Sequence, residues 1–554
     1  MKSGIKDHGL QKALPAESLL RRYLEDKPET GYRPCVAASP EYVSMPAPWG
    51  RKPRTLLIMP PIMISEGAVK RVIPPLGLCY IAAYLESVGI DCDILDCIVE
   101  GLDQETYMGD GMWRFGLTPD RIRSRIADYK PDIVGISIIY SSDLPNLYEV
   151  ARVAKEACPE AVVVAGGIHP TIYPNELLTE SIIAGQPTVN FVIRGEGEHR
   201  MAEFIENYRA GRLNRKSDGL AGFHDGEIFI NPQIATIDDL DALPYPAYHK
   251  LPMEKYFEFN VPFSPFPRGK RVMQIYTSRG CPIGCTFCAS TNFNKQFRAR
   301  SVDNVISEVR LWKDVYSIDE LQFADDNLTL DRDRAAELFD ALRGEELPWC
   351  TPNGIMVNTL TKELLDKMIA SGMYQITMSL DSGSARTLKE LHRKPVNLQR
   401  VPDLMNYLVE RGVLIHGTLV IGMPGETVDD IANGFAFVES LPFHSIGVFI
   451  AQAIPGSELY EISLASGAVM VESARQIDTA RSRIKLSAIA QDELEELAAS
   501  FIYRMNDIIR RRDPEAWDKK YGHHRQRMKE ICIGPAAPNT DAVIQVSASG
   551  TEAP

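Results

Sequence analysis

The sequence predicts an α/β protein made of two successive blocks of parallel βα units. Three observations predict it. Short Val/Ile-rich runs alternate with amphipathic helical patterns from Arg54 to about Ala210. The same rhythm resumes at Val272, after a proline-rich break. The strand-like runs are continuously apolar rather than alternating, as in parallel sheets covered on both faces. The first block reads as a doubly wound, Rossmann-like sheet. The second reads as an open (β/α)6 partial barrel, because six units are too few to close an eight-stranded one.

Residues 1–50 are polar and proline-punctuated, which suits an irregular N-terminal arm. The first domain spans 51–231. It opens on a strand at Thr55–Met59. Gly77–Val88 then sets Leu78, Ile81, Ala82 and Leu85 on one helical face, with Gly89 as the stop. Further strands are expected at Cys92–Leu95, Ile133–Ile139, Val162–Ala165 and Phe191–Ile193, with helices near Arg121–Tyr129 and Leu147–Ala157. Asp225-Gly226 suits a hairpin turn. Residues 232–269 hold seven prolines among aromatics, a linker expected to pack against both neighbours. The second domain, 270–465, is expected to place strands at Val272–Tyr276, Leu321–Ala324, Cys350–Ile355, Ile376–Leu380, Ile415–Ile421 and Ile446–Ala451. Residues 466–532 read as helical, with Glu493–Ile509 strongly amphipathic, and 533–554 as a disordered tail.

Of 554 residues, 45% are hydrophobic and 24% charged, the balance of an ordinary globular chain. The net charge of −14 argues against nucleic acid as a partner, which needs a basic face. The start, Met1 to Gly9, has no apolar run of a secretory signal, and no stretch reaches the roughly 20 apolar residues of a membrane span. The ten cysteines show no disulfide-like framework, and a reducing cytoplasm is the expected location. Cys92 and Cys97 flank a strand and read as buried thiols.

The chemistry concentrates after the first strand of the second block, in Thr277-Ser-Arg-Gly-Cys281-Pro-Ile-Gly-Cys285-Thr-Phe-Cys288. Three thiolates in C-x3-C-x2-C spacing can hold three irons of a [4Fe–4S] cubane and leave the fourth iron open. A structural zinc site would want a fourth protein ligand nearby, and none follows. Later strand ends carry Phe323-Ala-Asp325-Asp326-Asn327, Ser379-Leu-Asp381-Ser382-Gly383 and Gly422-Met-Pro-Gly-Glu426-Thr427. Each alone could be a helix cap. Their shared placement beside the cysteine loop, at the edge where such folds gather active sites, favours a functional reading.

Residues 270–460 resemble the core of the radical S-adenosylmethionine (SAM) enzymes. The resemblance implies that Cys281, Cys285 and Cys288 bind the cluster, and that SAM chelates the open iron. It implies that Asp325 or Asp326 receives the SAM amino group, where many members carry Gly-Gly-Glu instead. Ser379 and Asp381 would lie near the ribose, and Gly422 to Glu426 near the adenosyl or methionine portion. A cationic ligand and close backbone approach are consistent with carboxylates and glycines there.

The first block has neither G-x-G-x-x-G after its first strand nor a P-loop. Its Pro74-Pro75-Leu76-Gly77, Gly166-Gly167-Ile-His169-Pro-Thr and Gly195-Glu196-Gly197-Glu198 segments, upstream of such a core, resemble the cobalamin-binding domain of cobalamin-dependent radical SAM enzymes. That resemblance implies Ser137, Gly166, Gly167, Gly195 and Glu196 as cobalamin contacts. The Asp-x-His-x-x-Gly motif that supplies a lower cobalt ligand elsewhere is absent. His169 reads as a hydrogen-bonding loop residue more readily than as that ligand.

The family implies a methyltransferase. A reduced cluster would cleave SAM to a 5′-deoxyadenosyl radical, and methylcobalamin would methylate an unactivated carbon, or a phosphinate phosphorus, of a small natural-product precursor. The compact form is similar to methylases of antibiotic and phosphonate biosynthesis. A small-molecule substrate and a reducing system such as flavodoxin or ferredoxin are the expected partners. Radical cyclisation or rearrangement on the same cofactors is the alternative activity. A non-catalytic cobalamin sensor is the alternative of another class, and it would leave the cysteine triplet unexplained.

Overall fold

The computed structural model describes residues 42–44, 49, 51–232, 234–289, 295–465, 487–515 and 517–518. Nearly all of the expected N-terminal arm, residues 466–486 of the expected helical region and the whole 533–554 tail lie outside the described residues.

The first sheet contains β1 (Thr55–Met59), β2 (Cys92–Asp96), β3 (Ile133–Ile138), β4 (Val162–Gly167), β5 (Phe191–Ile193), β6 (Leu220–His224) and β7 (Glu227–Ile230). Their order is β7-β6-β5-β4-β3-β1-β2, parallel from β2 through β5 and antiparallel beyond. Apolar side chains of β1, β3 and β4 are buried on both faces, which explains their continuous Val/Ile runs. Four helices cover the sheet: α1 (Leu76–Ser87), α2 (Pro119–Tyr129), α3 (Leu144–Ala157) and α4 (Gly197–Arg209). The chain leaves β1 toward β2 on one side and later returns to place β3 on the other. That reversal is a topological switch point, where doubly wound sheets open a crevice at their carboxyl edge.

The second sheet is wholly parallel and runs in sequence order: β8 (Val272–Ile275), β9 (Glu320–Phe323), β10 (Trp349–Cys350), β11 (Met373–Asp381), β12 (Leu414–Ile421) and β13 (Ser445–Ile450). Six sequential strands with helices between them form the expected open barrel. The third strand is shorter than the sequence suggests. Pro352 has no N–H to give the ladder, and pairing resumes only as an isolated bridge from Ile355 to Met378.

A three-stranded antiparallel patch, Ile62–Ser65 with Glu105–Gly109 and Met112–Phe115, was not visible in the sequence pattern. Its middle turn, Asp110-Gly111, has both residues at positive φ. The Asp225-Gly226 turn shares that geometry and closes the expected hairpin of β6 and β7.

The proline-rich linker packs against both neighbours. Tyr256 donates to Asp96 at the end of β2, while Tyr245 donates to the backbone of Asn304 in helix α5 (Val302–Tyr316). Ser264 donates to Gln375 of β11. Helix α6 (Val428–Glu439) follows β12, and the long helix α7 (Gln491–Arg512) packs on it through stacked Phe435 and Phe501, with centroids 3.8 Å apart. Leu494 of α7 also backs Gly422, where an added Cβ would meet its Cδ1 at 2.9 Å.

Phe501 is fully buried, so Phe501→Ala should cost about 3–5 kcal/mol of unfolding free energy. Urea denaturation of the two proteins checks this, and a loss under about 1 kcal/mol would mean that α7 is not part of the barrel core.

Candidate active site at the domain interface

A cleft of about 1350 Å³, including its open mouth, runs between the carboxyl edges of the two sheets. Its enclosed part, about 360 Å³, lies within the roughly 300–1,000 Å³ of common small-ligand sites. From the first domain it takes Ser137, Gly166, Gly167, Gly195 and Glu196, which the sequence singled out together. From the second it takes Tyr276, Ser278, Arg279 and Asp326, at the foot of the cysteine loop. Leu57, Ile81, Gly135, Ile193 and Met201 give the cleft an apolar part of its wall.

Glycine is required at two of these positions. Gly167 sits at φ +101, and a Cβ there would lie 2.0 Å from the carbonyl oxygen of Ile138. Gly195 sits at φ +86, and a Cβ there would lie 2.2 Å from the carbonyl oxygen of Ala235. No alanine fits either place without moving backbone, so the strand ends stay bare and close to whatever fills the cleft. His169 is buried behind them, with Nδ1 2.9 Å from the Ser141 hydroxyl, and does not line the cleft.

The cysteine loop is braced from outside. Thr286 donates its N–H to the His392 carbonyl at 3.1 Å, and its carbonyl accepts from Leu459 at 2.9 Å. Phe287 meets the His392 ring edge-on at 5.2 Å. Cys281, Cys285 and Cys288 are partly exposed, and none is in a disulfide. Burial pushes the Cys285 thiol up to about 12, against the opposing effect of Lys394. A thiol so placed keeps its proton unless a cation takes over, which is how iron converts such residues into thiolate ligands. Among the described residues no three His, Cys, Asp or Glu side chains gather round one point. The donor set fits the cluster.

The two candidate carboxylates after β9 have different surroundings. Asp325 is fully engaged: it accepts from the Thr277 hydroxyl at 2.8 Å, the Ser278 hydroxyl at 2.5 Å and the Thr277 N–H at 3.2 Å. Asp326 accepts from the Gly280 N–H at 3.1 Å and faces the cleft. Burial raises the pKa of both. At the end of β11, Asp381 pairs with Lys394 at 2.5 Å and accepts from Thr418 at 3.3 Å. The Ser379 hydroxyl lies against Gly354, where an added Cβ would come within 1.4 Å of it. Glu426 folds back onto its own loop and accepts from the Gly422 and Met423 N–H groups at 2.6 and 3.1 Å.

One part of the site escaped the sequence reading. The Arg279 guanidinium crosses between domains and binds Glu196 at 3.0 Å and Glu198 at 2.8 Å. Arg298 binds Glu196 from the other side at 2.6 Å. Glu196, expected as a cofactor contact, therefore lines the cleft while serving the domain interface. Burial opposes its charge, yet Arg298 and Arg279 hold its pKa below the ordinary value. The signal available in sequence was Ser-Arg-Gly before Cys281, which carries a charge where a small residue would suffice for a turn.

Fold and site together define a two-domain α/β protein whose glycine-bare strand ends in one domain face the foot of a cysteine loop in the other. Residues 67–205 match the B12 binding domain, and residues 275–438 match the Radical SAM superfamily. The chain is 36% identical to cytidylyl-2-hydroxyethylphosphonate methyltransferase of Streptomyces wedmorensis, over 84% of this chain and 91% of that one. It is 30% identical to an uncharacterised methyltransferase of Pyrococcus horikoshii, over 80% and 90%. The structure of the methyltransferase TsrM from Kitasatospora setae, with cobalamin and a [4Fe–4S] cluster bound, superposes with a TM-score of 0.59 at 16% identity, covering 76% of each chain. This chain belongs to the cobalamin-dependent radical SAM methyltransferases. Its cofactors are accordingly cobalamin, a [4Fe–4S] cluster and SAM. No described helix is long and apolar enough to cross a membrane.

Three outcomes follow. Burial raises the Glu426 pKa from 4.5 to about 7. The folded chain then holds a proton that the unfolded chain releases, so stability falls as pH rises through that window and is constant above it. Glu426→Gln should flatten this loss between about pH 5 and about pH 7, as read by thermal melts across that range. An unchanged slope would remove Glu426 as its source. Gly167→Ala should abolish retention of cobalamin on gel filtration, while Cys285→Ala should lose cluster iron and keep cobalamin.

Proposed function

We propose that this chain methylates an unactivated centre of a small phosphonate- or phosphinate-type precursor, with carbon as the acceptor or phosphorus in the phosphinate case. The observation that carries the reading is the shared cleft. The glycine-bare strand ends of one domain and the foot of the cysteine loop of the other line the same space. A substrate there meets both cofactors at once. The substrate class is supported by the name of the Streptomyces relative, whose 91% coverage makes the likeness nearly end to end.

When bound, the cluster supplies reductive cleavage of SAM, and cobalamin supplies the methyl group. The chain's own residues position and shield. Cys281, Cys285 and Cys288 hold the cluster. Asp326 has a carboxylate turned to the cleft, which fits it to the ammonium of SAM, whereas Asp325 is occupied in fixing Thr277 and Ser278. Ser379 and Asp381 border the ribose, with Lys394 balancing the Asp381 charge. Glu426 holds the Gly422–Met423 backbone in the shape that borders the adenosyl or methionine portion. Ser137, Gly166, Gly167 and Gly195 would let the corrin and nucleotide tail of cobalamin approach the strand ends, with the apolar wall beside them. A reducing system such as flavodoxin or ferredoxin supplies the reducing equivalents, in the cytoplasm.

Anaerobic protein reconstituted with iron, sulfide and cobalamin, then given SAM, a reductant and cytidylyl-2-hydroxyethylphosphonate, should yield 5′-deoxyadenosine and a product heavier by one methylene unit. Mass spectrometry decides. Turnover of this or any related phosphonate without that gain would replace methylation by cyclisation or rearrangement.

A further inference from the structure

We infer that Arg279 is the positioning residue through which the cobalamin domain fixes the cysteine loop, so that cobalamin binding and cluster loading are coupled. Arg279 stands two residues before Cys281, in a short strand (Ser278–Arg279) paired with Arg298–Ala299. Its guanidinium leaves that strand and bridges two carboxylates of the Gly195-Glu196-Gly197-Glu198 loop, at 3.0 and 2.8 Å. It also lies over the Tyr80 ring of α1, 5.1 Å from the centroid. Arg298, the strand partner, binds the same Glu196 at 2.6 Å. The next residue, Gly280, is held by Asp326. Two ion pairs and one ring contact thus join the first domain to Arg279, two residues before the first cysteine, and Glu196, Glu198, Arg279 and Asp326 all line the cleft.

This placement has a thermodynamic consequence. A loaded cluster immobilises the loop and with it Arg279, so the cleft wall is already ordered when cobalamin arrives. Cobalamin in turn removes water from the ion pairs, which strengthens them and restrains the loop. Coupling between two binding events is reciprocal, so each ligand must favour the other by one common factor. Lysine cannot replace this arginine, because a point charge lacks the fork that spans two carboxylates.

The coupling rests on the cofactor placement proposed above. Hydroxocobalamin is titrated into full-length protein with and without its cluster, anaerobically, for the wild type, Glu198→Gln and Arg279→Lys. The wild type should bind at least about fivefold tighter when the cluster is present. In Arg279→Lys the ratio should fall to about one, and in Glu198→Gln it should fall clearly below the wild-type value. The spectrum of the reduced cluster in electron paramagnetic resonance should change on adding cobalamin to the wild type and not to Arg279→Lys. Glu198→Gln preserves shape and the Glu196 bond, so it carries the test if Arg279→Lys fails to fold. A merely structural bridge would weaken both affinities equally and keep the ratio, which overturns the inference. A wild-type ratio of one overturns it too. Absence of any cobalamin binding would overturn the cofactor placement as well.

Discussion

The active arrangement depends on a buried ion-pair network at the domain boundary, in which Glu196 and Glu198 face Arg279 and Arg298. Charges taken out of water are costly, and they persist only where geometry and further hydrogen bonds satisfy them. Here the backbone of Ile237 also donates to Glu196, and Arg298 also donates to the Ile237 carbonyl. The linker is thereby tied into the same knot as both domains. Removing one partner would strand a buried charge, at about 3–5 kcal/mol. The network gives direction more than stability: it turns the carboxyl edges of two independent sheets toward one space.

What each edge offers follows from ordinary sheet physics. The switch point of the doubly wound sheet opens a crevice beside β1 and β3, and glycines at the ends of β4 and β5 keep side chains out of it. The open barrel presents its loops at the same kind of edge. Each of these loops is held by its own polar contacts: Asp325 on Thr277 and Ser278, Asp381 on Lys394, Glu426 on the Gly422 turn. A reactive cofactor pair needs rigid walls, and backbone-directed carboxylates supply part of that rigidity.

Much of this was legible in the residues. Continuous Val/Ile runs revealed the buried parallel strands, and the cysteine spacing singled out the loop that follows β8, because both signals are local. The strand-end glycines were equally visible, since only a close approach explains paired glycines after a buried strand. Pairings across long separations were not. Nothing near Glu196 announces Arg279, over eighty residues later, and nothing in Asp325-Asp326 says which carboxylate turns inward. The patch at 62–65, 105–109 and 112–115 was hidden because it is short and partly exposed, so it lacks the periodicity a core imposes. The shortened third barrel strand illustrates the reverse: apolar composition promised a strand that Pro352 interrupts.

The central claim is that the two cofactors share one cleft. With cobalt as paramagnetic cobalt(II) and the cluster reduced, electron paramagnetic resonance on the fully loaded protein tests it directly. A common cleft predicts that each signal is broadened by the other, and that the cobalt signal sharpens in Cys285→Ala, which lacks the cluster. Two spectra that simply add, unchanged by that substitution, would contradict the account.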